Sequence, residues 1–188
     1  MIKRNATVAG FLIGLGVIIN TQAENPVLGA FLFSFGLLTI IHMQLPLYTG
    51  QIGFITEKKI SDLFQILIFN FIGIIFAISL KAPNKTFLLT LQSKANIKFD
   101  KTLFQMFTDA FLCGTLIHFA VKCKQHIMTI MAVMIFILIG AEHCIADFPY
   151  LIAAFSFENC LKFFMIVIGN SIGAIFLENI LKKKDNKI

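Results

Sequence analysis

A chain of 188 residues with 57% hydrophobic residues, 22 Phe and only 14% charged residues lies outside the composition of water-soluble domains. Its net charge of +6 does not point to nucleic acid, because the basic residues crowd into the gaps between apolar runs, as they do in loops that set membrane topology. Cys113, Cys123, Cys144 and Cys160 show neither Cys-x-x-Cys nor Cys/His ligand spacing, so neither a zinc site nor a disulfide framework is expected.

A bilayer-spanning helix needs roughly 20 apolar residues, and breaks at charged residues or proline leave six such stretches, about 6–22, 27–56, 62–80, 103–122, 126–157 and 160–181. An integral membrane protein is predicted, all α-helical, with one transmembrane domain over 1–188 and no soluble domain. The opening "MIKRNATVAGFLIGLGVIINTQA" has the charge order of a signal peptide. Gly10 and Gly14 form a small-xxx-small spacing suited to close helix packing, and this favours a retained first span.

With the N-terminus inside, the inner segments hold Lys3, Arg4, Lys58, Lys59, Lys122, Lys124, Lys182, Lys183, Lys184 and Lys187. The outer segments hold Lys81, Lys85, Lys94, Lys98, Lys101 and Lys162. This bias predicts both termini in the cytoplasm and a location in the inner (plasma) membrane. Five of the six outer lysines fall in one stretch between spans three and four, where a mouth for anions is expected.

The second span reads "VLGAFLFSFGLLTIIHMQLPLYTGQIGFIT" and the fifth "HIMTIMAVMIFILIGAEHCIADFPYLIAAF". Each is about 30 residues with polar residues at mid-length and a proline, Pro46 or Pro149, so each is predicted to break into two half-helices. Irregular backbone survives at membrane depth only where protein packs it or a cavity borders it.

An internal repeat accompanies these breaks. A shift of 100 residues aligns "ILIFNFIGIIFA" (66–77) with "IVIGNSIGAIFL" (166–177), and "GFLIG" (10–14) with "AFLCG" (110–114). Three spans per half make the second half enter the membrane inverted, with 1–80 as the first repeat and 103–181 as the second. In such folds the substrate path lies between the halves.

Glu142, His143 and Asp147 in "IGAEHCIADFPY" sit at the break of the fifth span. Ionisable groups at that depth cost several kcal/mol against lipid, so they are expected to face protein or water. A histidine in an apolar neck can donate a hydrogen bond or move a proton. A small anion is far easier to desolvate once neutralised, so capture at a cationic mouth followed by protonation or hydrogen bonding at His143 is the expected mechanism. Thr49, at the break of the opposite half, is the expected partner of that histidine.

These segments, "FSFGLL" followed by "LYTG", then "LIFNFIG", "AFLCGTLIHFAVK", "IGAEHCIADFPY" and "IGNSIGA", together resemble the formate/nitrite transporter family, as a short bacterial-type member, across all six spans. The resemblance implies an aquaporin-like six-span protomer in a homopentamer. Each protomer would conduct formate, nitrite, hydrosulfide or lactate together with a proton, with no cofactor, no bond-changing chemistry and no nucleic-acid partner. It implies a pore set of His143, Thr49, Lys98, Asn170 and Glu142, with Lys98 polarising the approaching anion and Asn170 lining the pore. Constrictions are implied at Phe33, Leu37, Leu47, Tyr48 and Phe136. The chain departs from the family pattern in having Tyr48 where Phe is usual, Gly114 where Asn is common, Asp147 after "EHCIA" where Asn is usual, and Pro46 at an often acidic position.

Two rival readings follow from the histidines. His42, His118 and His143 in a helical bundle would suit b-type haem in an electron-transfer subunit. An aquaporin-like or ammonium-type pore for neutral solutes would instead want paired Asn-Pro-Ala words or twin in-membrane histidines, and neither is present.

Overall fold

The architecture, seen in a computed structural model that describes residues 2–185 (Lys184 and Asp185 in backbone only), is all helical among the described residues. Lys187 of the basic inner set lies outside them. In chain order the helices are α1 (Ile2–Gln22), α2 (Pro26–His42), α3 (Tyr48–Gln51) with a 3-10 turn over Ile52–Phe54, α4 (Ile60–Lys81), α5 (Lys85–Phe99), α6 (Leu103–Cys123), α7 (His126–Leu138), α8 (Cys144–Ala153) and α9 (Phe157–Asp185). Four of these are long and apolar enough to cross a membrane: α1, α4, α6 and α9 over Phe157–Lys183. The second and fifth apolar stretches are each split into two shorter helices, α2 with α3 and α7 with α8.

Local chemistry accounts for the ends. Asn25 caps α2, its side chain accepting from the Val27 and Leu28 N–H groups ahead of Pro26. Thr102 and Gln105 form a capping box at the start of α6. The two interrupted stretches stop in the same way. Gln44 (φ 53°) and Gly140 (φ 71°) turn into the left-handed region. The next N–H in each case reaches back to close the turn, Leu45 to Ile40 at 2.9 Å and Ala141 to Phe136 at 2.9 Å.

Two expectations are corrected here. Pro46 lies in the first break, but Pro149 lies inside α8, and it is the left-handed turn at Gly140 that ends α7. The lysine-rich outer stretch is not a loop but mostly the helix α5, capped by the Asn84 side chain accepting from the Phe87 N–H at 2.9 Å. Its buried residues Phe87, Leu91, Ala95 and Phe99 recur at helical spacing, so one apolar face docks on the bundle.

Packing is closest where small residues meet. Helix α1 lies along α4 and α6 along α9. A Cβ at Gly10 would fall on the carbonyl of Asn70, and one at Gly114 on the carbonyl of Asn170. Gly10 therefore stands to Asn70 as Gly114 does to Asn170, one helical turn from the register in which "GFLIG" aligns with "AFLCG". Outward faces carry Phe31, Phe35, Phe64, Phe76, Phe104 and Phe164, all exposed. That apolar girdle fits lipid, and the chain is a membrane protein.

Gly114→Leu is expected to lower stability by about 1–3 kcal/mol or to abolish assembly, because the added side chain has only backbone to displace. Ser79→Leu on the exposed face of α4 should leave the thermal midpoint in detergent, followed by circular dichroism, nearly unchanged.

Candidate functional site

The two interrupted stretches meet in the interior. Thr49, on the first turn of α3, and His143, at the N-cap of α8, are both buried, and the Thr49 Oγ1 and His143 Nε2 atoms lie 2.9 Å apart. The histidine is held by its own helix: its Nδ1 accepts the Ala146 N–H at 3.1 Å. An accepting Nδ1 carries no proton, so the neutral ring holds its hydrogen on Nε2 and donates it toward Thr49. A second proton would have to displace the Ala146 N–H and would place a cation at the positive end of α8.

Backbone freed by each break is satisfied by an asparagine. Asn70 on α4 accepts the Tyr48 N–H at 2.9 Å and donates to the Ala6 carbonyl at 2.8 Å and the Pro46 carbonyl at 3.1 Å. Asn170 on α9 accepts the Cys144 N–H at 2.8 Å and donates to the Ala110 carbonyl at 2.8 Å and the Glu142 carbonyl at 2.7 Å. Both are fully buried. Asn170 is therefore no pore-lining group, since its amide is spent on backbone. Asn70, read from the sequence only as part of a repeated N-x-x-G word, plays the matching part.

A cavity of about 160 Å³ on the side of α5 reaches His143 and is bordered by Phe33, Phe136, Lys94, Lys98, Asp147 and Tyr150 among others. Phe33 and Phe136 meet edge to face at 5.9 Å, and Phe136 stacks on the His143 ring at 5.9 Å. On the other side a cavity of about 490 Å³ is bordered by Ile40, Leu45, Leu47, Gly50, Lys58 and Lys122 among others. Leu37 is buried on α2, one turn from Phe33. The Tyr48 hydroxyl, expected at a constriction, is instead 2.9 Å from Ser171 Oγ on α9.

Four of the six lysines expected on the outer side are engaged rather than forming a free cationic mouth. Lys94 donates to the Asn20 carbonyl at 2.9 Å and Lys162 to the Phe99 carbonyl at 2.7 Å, which ties the end of α5 to α9. Lys98 donates to Glu142 Oε2 and sits 3.1 Å from Asp147 Oδ1. Lys101, which the sequence did not single out, bridges Glu142 Oε1 at 2.7 Å and Asp109 at 2.6 Å. Burial works against both ammoniums. For Lys98 the acidic neighbours Asp147 and Glu142 outweigh it and hold its pKa above that of an ordinary lysine, as Glu142 and Asp109 do for Lys101.

Glu142 is fully buried with both oxygens occupied, so it anchors lysines rather than facing the path. Asp147 does not touch the His143 ring: its Oδ2 accepts the His143 backbone N–H at 2.7 Å, one turn into α8. Of the remaining histidines, His42 is exposed at the end of α2 with its ring 6.2 Å from that of His126, and His118 is buried on α6 with Nε2 2.7 Å from Glu178.

A family model described as "Formate/nitrite transporter" matches residues 3–182. No curated protein sequence matches the chain. Among solved structures, one described as "Pentameric formate channel with formate bound" is similar at a TM-score of 0.73 with 20% identity, covering 97% of this chain and 94% of the other. Another, described as "FNT family ion channel", is similar at 0.80 with 17% identity, covering 97% and 89%. At these identities the structures establish the fold.

Replacing Asn170 by Leu strands the Cys144 N–H and the Glu142 carbonyl, at about 1–3 kcal/mol for each group left unpaired. A marked fall in the detergent thermal midpoint is expected. A midpoint equal to that of the unmodified protein would show that water or slack backbone replaces the amide.

Proposed function

The chain belongs to the formate/nitrite transporter family, and from that premise we propose that it is a membrane channel for small monovalent weak-acid anions such as formate, nitrite, hydrosulfide or lactate, moving with a proton. The observation that carries this reading is the pairing of Thr49 with His143 at 2.9 Å, between an outer cavity and an inner one. The proposed protomer has six spans in two inverted halves, 1–80 and 103–181, with the two split stretches as spans two and five. The matched hydrogen bonds of Asn70 and Asn170 and the matched left-handed turns at Gln44 and Gly140 support that plan. A homopentamer in the inner membrane with cytoplasmic termini completes it, supported by the family and by the basic residues of the inner segments.

In this mechanism an anion enters the outer cavity beside Lys98 and is neutralised there. It then passes the Phe33–Phe136 pair as a neutral acid and takes a hydrogen bond from His143 Nε2–H while Thr49 turns its hydroxyl to compensate. Leu47, with Leu45 and Ile40, forms the apolar inner neck. Shedding charge before the apolar neck removes most of the desolvation cost. The His143 ring serves as a hydrogen-bond donor rather than a proton source, because Nδ1 is engaged at the N-cap.

His143→Asn keeps an N-cap acceptor for Ala146 and removes the donor facing Thr49. Uptake of anions in liposomes by stopped flow should fall ten- to a hundredfold with assembly intact, about 1.5–3 kcal/mol for one hydrogen bond to a charged or polarised group. Undiminished uptake would remove the ring from the path. In the same assay a neutral-solute channel would pass water or ammonia and none of the four anions.

A further inference from the structure

Since Nδ1 of His143 is committed, the proton that neutralises the anion must come from elsewhere, and the outer cavity contains another proton-carrying side chain. Asp147 is the one carboxyl among the residues that border this cavity. It belongs to a linked cluster in which two ammoniums, Lys98 and Lys101, face three carboxyls, Asp109, Glu142 and Asp147. Such a cluster is neutral when one carboxyl keeps its hydrogen. Glu142 has both oxygens on lysines, and Asp109 is partly exposed beside Lys101. Asp147 is almost wholly buried, offers Oδ2 only to the neutral His143 N–H, and shares Lys98 with Glu142.

We propose, resting on the channel reading above, that Asp147 is the proton donor of this pore: its carboxyl protonates the anion in the outer cavity before the aromatic pair. The anion displaces Oδ1 from Lys98 and its oxygen, or the sulfur of hydrosulfide, takes the hydrogen. The Asp147 O–H bond breaks as the O–H or S–H bond of the neutral acid forms, and the resulting carboxylate closes back on Lys98. The acid moves on past His143, and Asp147 recovers a proton from water on the outer side. One proton therefore accompanies each anion.

The groups that set the field around Asp147 come from each packed element. They are Lys94 and Lys98 on α5, Lys101 just before α6, Asp109 and Cys113 on α6, and Glu142, His143, Cys144 and Tyr150 on or beside α8. Tyr150 is itself tied to Thr21 on α1 at 3.2 Å, and its ring lies under the Lys98 ammonium at 5.6 Å.

The test compares formate uptake by wild type, Asp147→Asn and Asp147→Glu in liposomes, with size-exclusion profiles as the check on assembly. Asp147→Asn preserves the acceptor for the His143 N–H and removes the exchangeable proton. Its uptake should fall about a hundredfold at about pH 7, the usual worth of a positioned acid. It should come within about threefold of wild type at about pH 5, where bulk water supplies a hundred times more neutral acid. Asp147→Glu should recover the wild-type pH profile. An Asp147→Asn profile that superimposes on wild type overturns the proposal while leaving the channel reading intact, whereas no flux of formate, nitrite, hydrosulfide or lactate through wild type overturns the channel reading itself. If Asp147→Asn does not assemble, infrared difference spectra of wild type decide. In deuterated water at about pH 7 the carbonyl stretch of a protonated carboxyl should shift, and the absence of such a band overturns the assignment.

Discussion

The constraint on which this fold rests is that backbone released from a helix inside an apolar medium has to find another partner. Both interrupted stretches meet it with the same parts: a left-handed residue that closes the first half-helix, a buried asparagine from a long neighbouring helix, and a second half-helix that begins where the asparagine amide ends. The asparagines can reach because glycines on the facing helices let backbone approach backbone, Gly10 over Asn70 and Gly114 over Asn170. Without that close contact the Tyr48 and Cys144 N–H groups would lie buried and unpaired, and the interruptions that create the central site would be too costly to keep.

The same economy governs the charges. Glu142 sits fully buried at the break and is held by Lys98 and Lys101, which arrive from α5 and the start of α6. Those lysines are in turn kept charged in a largely apolar setting by their carboxylates. The outer surplus of lysine, which by composition looks like an anion lure, is mostly consumed in fastening α5 over the bundle, through carbonyls for Lys94 and Lys162 and carboxylates for Lys98 and Lys101. In the proposed mechanism hydrogen bonding and proton supply fall to different side chains, His143 and a neighbouring acid, rather than to one imidazole.

Much of this was legible because apolar length and periodicity are strong signals in a lipid setting. The limits of α1, α4, α6 and α9 follow the apolar runs within a few residues, and the split of the second and fifth stretches followed from their polar interruptions. The meeting of Thr49 with His143 was also anticipated, since each is the polar residue at its own break. What could not be read were features set by tertiary hydrogen bonds. Nothing local distinguishes an asparagine that faces a pore from one that satisfies backbone, so the backbone bonds of Asn170 and Asn70 were not legible. Proline is the loudest local signal, yet Pro149, sixth of the ten residues of α8, lies within a helix that continues past it, and the turn at Gly140 does the breaking. Helix α5 was hidden by its lysines, which mask a docking face visible only as Phe87, Leu91, Ala95 and Phe99.

Matched backbone with unmatched side chains explains how the site acquires a direction. Leu47 and His143 hold the same place, each the N-cap of the second half-helix and each in extended conformation, but Leu47 makes no side-chain cap while His143 accepts from Ala146. The polar ring and the ionic cluster thus lie on the side of α5, and the corresponding position on the other side is an aliphatic neck opening toward Lys58 and Lys122. In the proposed channel a weak acid entering from the side of α5 meets a carboxyl, then aromatic rings, then the His143 donor. From the other side it meets leucine first and reaches the carboxyl last. On that mechanism proton transfer precedes the aromatic pair for a solute entering beside α5, and net flow follows the combined gradients of anion and proton.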